Sequence, residues 1–275
     1  MAWAVRAGNR AAGPRRGGRG RATRPPTPCR ALECGDRAGA RALGSVLSDP
    51  VGGVVSRFSA RRELAIGLGV YGLYLAGSRW SLKRDGRTRA RRNAERLVAL
   101  EERTGLHIEP AVQRLALRFP RALHVATAGY AAGNVTLSAG WLVLAFRRRD
   151  PDYHRERRAA VVAYLGALPV FALLPTAPPR TLDGFVDTIA SSGIDIEHPL
   201  LLRFYNPIAA VPSLHCAFAV VTGSTLADRN RGVRRLLWRG YAPLVALVVV
   251  ATGNHYTLDV LSGVALGRLA RALTE

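Results

Sequence analysis

Apolar residues in this chain occur in six long runs, which are separated by polar connections. Each run approaches the length of about 20 residues that an α-helix needs to cross the hydrocarbon core of a membrane. The six runs are residues 64–80, 122–146, 159–174, 209–227, 237–252 and 256–270. The pattern predicts an all-α, polytopic membrane helix bundle with about six transmembrane helices.

One further segment, residues 93–118, has a different pattern. Its leucines alternate with glutamates and arginines, so that it is too charged to span a membrane. We expect an amphipathic helix that lies at the membrane interface or packs on the bundle, with a break near Gly105 and Pro110. His107 falls in this segment, and we expect it to be a solvated surface residue.

Two pairs of glycines share the spacing that lets helices approach each other closely. Gly129 and Gly133 lie in the second apolar run, and Gly263 and Gly267 lie in the last one. Four-residue spacing places both glycines of a pair on one helix face, where a neighbouring backbone can come near. We therefore expect close helix packing at both places.

The first 60 residues form a separate region by composition. They are rich in Arg, Gly, Pro and Ala, without any hydrophobic periodicity. Such a segment cannot bury a core, so we expect a disordered tail over residues 1–60 and a folded membrane domain over residues 61–275. Cys29 and Cys34 in this tail, and Cys216 in the fourth apolar run, do not form a disulfide or zinc framework.

The formal net charge of +21 suggests a nucleic-acid partner at first sight. However, apolar runs interrupt the basic residues throughout, and membrane proteins keep arginines in their cytoplasmic loops. We therefore expect no nucleic-acid partner. The basic connections 147–158 and 228–235 are predicted to be cytoplasmic, and the acidic connection 175–206 is predicted to lie outside, in a multi-pass protein of the cell membrane.

Candidate chemistry is concentrated near the C-terminus. His215 and His255 are separated by one predicted crossing out and one back, which returns the chain to the same membrane surface. Asp259 follows His255 by four residues, so that it can accept the imidazole N–H and leave the other ring nitrogen free. Ser213 lies at the predicted helix start, where free N–H groups favour an anion, and Arg180 is a candidate phosphate ligand.

These residues resemble the motifs of a known family. Asn206-Pro207, Pro212-Ser213-Leu214-His215 and Gly253-Asn254-His255-Tyr256, with Asp259 and Gly263, are similar to those of the type 2 phosphatidic acid phosphatase (PAP2) superfamily. Ser-Leu-His resembles its inositol phosphorylceramide synthase-like branch. The resemblance implies that His215 is the general acid, that His255 attacks phosphorus, and that Asp259 orients His255.

Three departures from the family pattern concern phosphate binding. Leu173, Thr181 and Val249 occupy places where the family has lysine, proline and arginine, respectively. Two expected cations are therefore missing. Arg180, Ser213 and helix-start amides remain to hold the phosphoryl group, and Arg203 is a further candidate.

The sequence hypothesis is an integral membrane lipid phosphatase or phosphotransferase that uses a phosphohistidine intermediate on the extracytoplasmic face. We expect a lipid phosphate substrate, no cofactor and no metal, with water or an alcohol such as inositol as acceptor. Asn206, Asn254 and Tyr256 are candidate substrate contacts. Two alternatives stay open: a metal site formed by His215, His255 and Asp259, and a membrane transporter or scaffold without catalysis.

Overall fold

The computed structural model describes residues 58–83, 85–193 and 195–275. Within these residues the protein is helical, with an isolated β-bridge between Thr176 and Ala209 in place of any strand. The all-α prediction is confirmed. The predicted disordered tail, residues 1–60, lies almost entirely outside the described residues.

Ten α-helices make up the described part of the chain. They are α1 (Ala60–Ser81), α2 (Gly86–Thr104), α3 (Glu109–Ala116), α4 (Pro120–Ala128), α5 (Asn134–Arg147), α6 (Tyr153–Leu173), α7 (Pro199–Leu202), α8 (Leu214–Asp228), α9 (Gly232–Ala251) and α10 (Thr257–Ala272). A π-helical turn, Gly129–Gly133, joins α4 to α5, and two short 3-10 turns, Pro179–Thr181 and Ala190–Ser192, lie between α6 and α7.

Helix α8 is the centre of the bundle. It packs against α5, α6, α9 and α10, and its buried positions surround the helix axis on all sides. Because most of these residues are small, four neighbours can approach one 15-residue helix. The buried residues are Cys216, Ala217, Ala219, Val220, Val221, Thr222, Gly223, Thr225, Leu226 and Ala227.

The predicted close packing is confirmed for Gly263 and Gly267 of α10. A Cβ atom at Gly263 would lie 2.3 Å from the carbonyl oxygen of Ser213, and one at Gly267 would lie 2.6 Å from that of Ala217. The same prediction is wrong for Gly129 and Gly133, where an added Cβ would meet nothing within 4 Å. Small residues permit a close approach, but a neighbouring helix must also be present.

The amphipathic segment breaks where the sequence predicts. Gly105 ends α2 with a left-handed φ of 71°, and Pro110 lies in the first turn of α3. The segment packs on the bundle, because α2 contacts α10 and α3 contacts α9. The prediction for His107 is wrong: its side chain is only 20% exposed, and its Nδ1 lies 3.1 Å from Glu109 Oε2.

The six predicted membrane crossings find no support in the helices that the structure describes. Across residues 58–83, 85–193 and 195–275, no helix combines the length and the hydropathy that a membrane crossing requires. The predicted runs and the helices differ in extent. The run 209–227 becomes helical only at Leu214, and α8 then has 15 residues, about 22 Å of helix. The run 122–146 contains the π-helical turn.

A cluster of charges around Arg229 lies at the C-terminal end of α8. The guanidinium donates to Asp150 Oδ2 at 2.5 Å, to Glu156 Oε1 at 2.6 Å and to Asp152 Oδ2 at 3.2 Å. The hydrogen bond from Arg229 lowers the pKa of the Asp150 carboxyl below its ordinary value. This cluster joins the α5–α6 connection to the α8–α9 connection.

Substitution of Gly263 by alanine should disrupt the contact between α8 and α10. The new methyl group would overlap the backbone of Ser213, which cannot rotate away, so we expect a loss of about 1–3 kcal/mol in the free energy of unfolding. Gly140→Ala in α5 is the matched control, since its Cβ would enter open space. Equal midpoints of thermal unfolding (Tm) for Gly263→Ala and the wild type would contradict the packing described.

The Arg229 cluster predicts a pH-dependent contribution to stability. A carboxyl with a lowered pKa in the folded state stabilises the protein above its unfolded pKa, and this stabilisation disappears as the pH falls through the folded pKa. Asp150→Asn should therefore lower Tm at pH 7, by an amount equivalent to about 1 kcal/mol, and have a clearly smaller effect near pH 3. The more exposed Asp152→Asn should have a smaller effect. An Asp150→Asn deficit of the same size at both pH values would refute the assignment.

Candidate active site

The first turn of α8 is held in place by α10. Ser213 is the N-cap of α8, and its Oγ accepts the N–H of Cys216 at 3.3 Å. The backbone N–H of Ser213 donates to the carbonyl oxygen of Asp259 at 3.2 Å. Because Gly263 leaves room for the Ser213 backbone, the start of α8 touches the start of α10. His215 is therefore presented beside the residues that precede α10.

The turn between α9 and α10 carries the second histidine. Gly253 has a left-handed φ of 69°, which an L side chain rarely adopts, and it reverses the chain after α9. Tyr256 is the N-cap of α10 and Asp259 its third residue, so that the Asp259 carboxylate accepts the N–H of Tyr256 at 3.0 Å. His255 thus precedes the helix, and its ring faces the carboxylate that caps the helix. The two residues are not an i to i+4 pair within one helix.

The pairing of His255 with Asp259 agrees with the expected orientation. Nδ1 of His255 lies 2.9 and 3.0 Å from the two carboxylate oxygens, and both side chains are almost completely buried. A carboxylate accepts, so the proton is assigned to Nδ1. Nε2 is then unprotonated, with its lone pair available as a nucleophile or base.

The second histidine, His215, lies next to this ring nitrogen of His255. Nε2 of His255 lies 3.4 Å from Nδ1 of His215. The ring of Tyr130 stacks on His215 with centroids 4.5 Å apart, and meets His255 edge-on at 6.1 Å.

An apolar cavity opens on the histidine pair. Its volume is about 370 Å³, and aromatic side chains dominate its wall. His215 and His255 also line it, so that a largely apolar wall carries two groups able to react, as in a site that binds a largely apolar ligand. The aromatic residues of the wall are Tyr71, Tyr74, Tyr130, Tyr164, Phe171, Phe204, Tyr205 and Phe218.

Arg180 is bound to the turn that carries His255. Its backbone N–H donates to the carbonyl oxygen of Gly253 at 2.8 Å, and its Nη1 donates to Asn254 Oδ1 at 2.5 Å. Nε lies 3.6 Å from Asp187 Oδ2, and the side chain is 1% exposed. Arg180 lies behind the turn and is not part of the wall of the aromatic cavity.

The other candidate substrate contacts have structural partners. The amide of Asn206 donates to Ser81 Oγ at 3.2 Å and accepts the N–H of Ile208 at 3.1 Å. Asn254 orients Arg180, as described above. Tyr256 is fully buried, and its hydroxyl donates to the carbonyl oxygen of Ala177 at 2.8 Å, away from the cavity. Of these three residues, only Asn206 lines the cavity.

Sequence reasoning missed two residues that support His215. Tyr130 lies in the π-helical turn, and Asn134 follows it at the start of α5. The amide of Asn134 donates to the carbonyl oxygen of His215 at 2.8 Å and accepts the hydroxyl of Tyr241 at 2.6 Å. π-Helical turns are frequent at functional sites, but an apolar run gives no sign of such a turn in the sequence.

The geometry argues against a metal ion held jointly by His215, His255 and Asp259. The carboxylate binds Nδ1 of His255, whereas His215 faces Nε2 on the opposite side of the same ring. One ion cannot contact both ring nitrogens, so these three side chains do not converge on a common centre. The arrangement is that of an oriented base with a second histidine at its free nitrogen.

Comparison with known proteins identifies the family. Residues 95–273, more than half of the 275 residues, match the family model described as PAP2 superfamily. The chain belongs to the PAP2 superfamily, and the match includes His215, His255 and Asp259. Membership of this superfamily supports a phosphatase-type activity on phosphoesters. Neither a curated protein nor a solved structure matches the chain significantly.

Asp259→Asn should separate orientation from stability. The amide can still accept the N–H of Tyr256, but an NH₂ group facing Nδ1 favours the tautomer with the proton on Nε2. The nitrogen that faces His215 then loses its lone pair. We expect kcat for phosphoester turnover to fall about 10³–10⁴-fold, with a much smaller change in Tm.

The control is Asp183→Asn, which removes an acidic side chain that is 99% exposed. Its turnover should equal that of the wild type. Wild-type turnover in Asp259→Asn would show that the carboxylate does not set the tautomer of His255.

Proposed function

We propose that this protein is a lipid phosphatase or phosphotransferase that works through a phosphohistidine intermediate. The observation that carries the proposal is the row of contacts from Asp259 through His255 to His215, with both histidines in the wall of an apolar cavity. Nothing in this chemistry needs a cofactor. The residue roles follow from this row of contacts and from the motifs of the superfamily.

The first half-reaction would transfer the phosphoryl group to His255. Nε2 of His255 attacks phosphorus, the bond from phosphorus to the ester oxygen breaks, and His215 gives its proton to the departing alcohol. In the second half-reaction His215 takes a proton from water or an acceptor alcohol, whose oxygen attacks phosphorus, and the bond from phosphorus to Nε2 breaks and regenerates free His255. The anionic substrate itself would favour the protonated form of His215.

Phosphate binding is assigned to the start of α8, with Arg180 as a buried positive charge that does not reach the cavity wall. Ser213 and the first N–H groups of α8 form a helix N-terminus beside His215, which favours an anion. Arg180 contributes a buried positive charge, and its hydrogen bond to Asn254 holds this charge next to the turn that carries His255. These groups take the place of the two family cations that the sequence lacks at Leu173 and Val249.

A lipid substrate is supported by the continuity of two apolar spaces. The aromatic cavity shares Tyr71, Val135, Tyr164 and Phe218 with a second cavity of about 310 Å³. The second cavity extends between α1, α5, α6 and α8 towards Trp141, and its surface is mostly apolar. A hydrocarbon chain fits this path with the phosphate at the histidines.

We place the protein at a membrane, specifically the cell membrane, with the site on the extracytoplasmic face. Large apolar side chains are exposed on the outer surfaces of several helices, which supports contact with lipid. Examples of the exposed residues are Leu64, Leu68, Leu73, Leu236, Leu237, Leu244 and Leu247.

The acceptor distinguishes a phosphatase from a transferase. Ser-Leu-His at positions 213–215 resembles the inositol phosphorylceramide synthase-like branch, which favours transfer of a phosphorylated head group to an alcohol. We propose hydrolysis as the basal reaction and transfer to an alcohol such as inositol as the alternative outcome of the same intermediate.

The test is phosphate release from phosphatidic acid and from a polyprenyl diphosphate by the purified protein, with and without inositol. His215→Ala should lower kcat about 10²–10⁴-fold because the leaving alcohol loses its acid, and His255→Ala should remove turnover. A brief reaction with ³²P-labelled substrate should label the wild type at an acid-labile, base-stable site, and His255→Ala should remain unlabelled.

Cys216→Ser, a substitution next to His215, is the matched control and should retain activity. A change of product from free phosphate to a phosphorylated alcohol on addition of inositol would assign the transferase. Turnover in His255→Ala at the wild-type rate would overturn the phosphohistidine mechanism, and inactivity of the wild type with every phosphoester would favour a transporter or scaffold.

A further inference from the structure

A second cluster of ionisable side chains is buried between α2, α3 and the N-terminus of α10. Glu101 lies in the last turn of α2, Glu109 begins α3, and His107 lies in the break between them. One ligand atom from each of the three side chains lies within 4.8 Å of the other two. Both glutamate side chains are 0% exposed.

One oxygen of each glutamate has a clear structural task. Glu101 Oε1 accepts the N–H of Leu258 at 2.7 Å, and Glu109 Oε1 accepts the N–H and the hydroxyl of Thr257. These are the first two residues of α10, whose N–H groups have no partner within the helix. The pair of carboxylates therefore stabilises the start of the helix that carries Asp259.

The remaining atoms of the cluster lack partners. Glu101 Oε2, Glu109 Oε2 and His107 Nδ1 are buried without a hydrogen bond to any residue that the structure describes. Nδ1 lies 3.1 Å from Glu109 Oε2, but this pair does not have hydrogen-bond geometry. Buried carboxylates are costly unless they are paired or bind a metal ion. Helix capping explains the Oε1 atoms but not these three atoms.

The separations between these atoms match a small coordination sphere. Nδ1 of His107 lies 3.1 Å from Glu109 Oε2 and 3.8 Å from Glu101 Oε2. Ligands about 2.0–2.1 Å from a tetrahedral Zn²⁺ ion lie roughly 3.4 Å apart. The observed distances bracket this value. One imidazole and two carboxylates form a mixed nitrogen and oxygen set, which suits a first-row transition metal better than Ca²⁺ or Mg²⁺.

We propose that Glu101, His107 and Glu109 bind a divalent transition-metal ion of the Zn²⁺ type. His107 is 20% exposed and gives the ion a route from solvent, with water as a fourth ligand. The ion connects α2 and α3 to the N-terminus of α10 and thereby supports Asp259. It has no part in the phosphoryl transfer itself, so the inference does not rest on the proposed function.

A shared proton is the competing explanation. Burial, together with the nearby Glu109 carboxylate, raises the pKa of the Glu101 carboxyl. One proton between the two glutamates would neutralise part of the charge without a metal ion. The two explanations differ at His107, which has no role in a proton shared by the glutamates but supplies a ligand to a metal ion.

The experiment measures Zn²⁺ binding to the full chain after removal of the affinity tag and of metal by a chelator. Competition with a chromogenic chelator gives the stoichiometry and Kd, and thermal unfolding gives Tm with and without Zn²⁺. We expect the wild type to bind one more Zn²⁺ per chain than His107→Ala, or to bind it at least about tenfold more tightly. Zn²⁺ should raise Tm in the wild type and not in His107→Ala.

His107→Ala is the informative variant because it leaves the Oε1 contacts to Thr257 and Leu258 in place. Glu109→Gln should lose the ion as well, but it also disturbs α10. Glu102→Gln, an exposed neighbour on α2, and His215→Ala in the active site should bind Zn²⁺ as the wild type does. Equal Zn²⁺ binding by the wild type and His107→Ala, or loss of binding in His215→Ala, would overturn the proposal.

Discussion

The contact between the first turns of α8 and α10 is the constraint on which the rest of the site depends. Gly263 and Gly267 remove the side chains that would hold the two helices apart, so the backbones of Ser213 and Ala217 come close to α10. The N–H of Ser213 then reaches the carbonyl oxygen of Asp259. As a result, two histidines that are forty positions apart in the chain have ring nitrogens 3.4 Å apart. Their separation is set by backbone packing, which varies less than side-chain conformation does.

Buried polar groups hold the turn that carries His255 in place from two sides. Arg180 binds Gly253 and Asn254 from one side, and Glu101 and Glu109 bind the first N–H groups of α10 from the other. Each of these groups would be costly to bury alone, and each makes at least one hydrogen bond to the turn that carries His255 or to the first residues of α10. These groups fix the orientation of Asp259 and His255 relative to each other, as the mechanism proposed above requires.

The pairing of His255 with Asp259 follows from local sequence, because the two residues are near one another in the chain. Asp259 caps the helix that follows His255, so their contact needs only four residues and a helix start. The break at Gly105 was also predictable, since a glycine can adopt the left-handed conformation that ends α2. The roles of Asn254 and Tyr256 were not predictable, because whether a polar side chain meets substrate or backbone depends on distant segments, here Arg180 and Ala177.

The sequence by itself determined the all-α architecture, the helix break at Gly105 and the contact of His255 with Asp259, because hydrophobic period, glycine conformation and motif spacing act over a few residues. It also indicated the superfamily. Tertiary structure alone decided that Gly263 and not Gly129 has a close neighbour, that Tyr130 and Asn134 support His215, and that His107 meets two buried glutamates. These features depend on which helices lie side by side, and contacts across dozens of residues leave no periodic trace in a single chain.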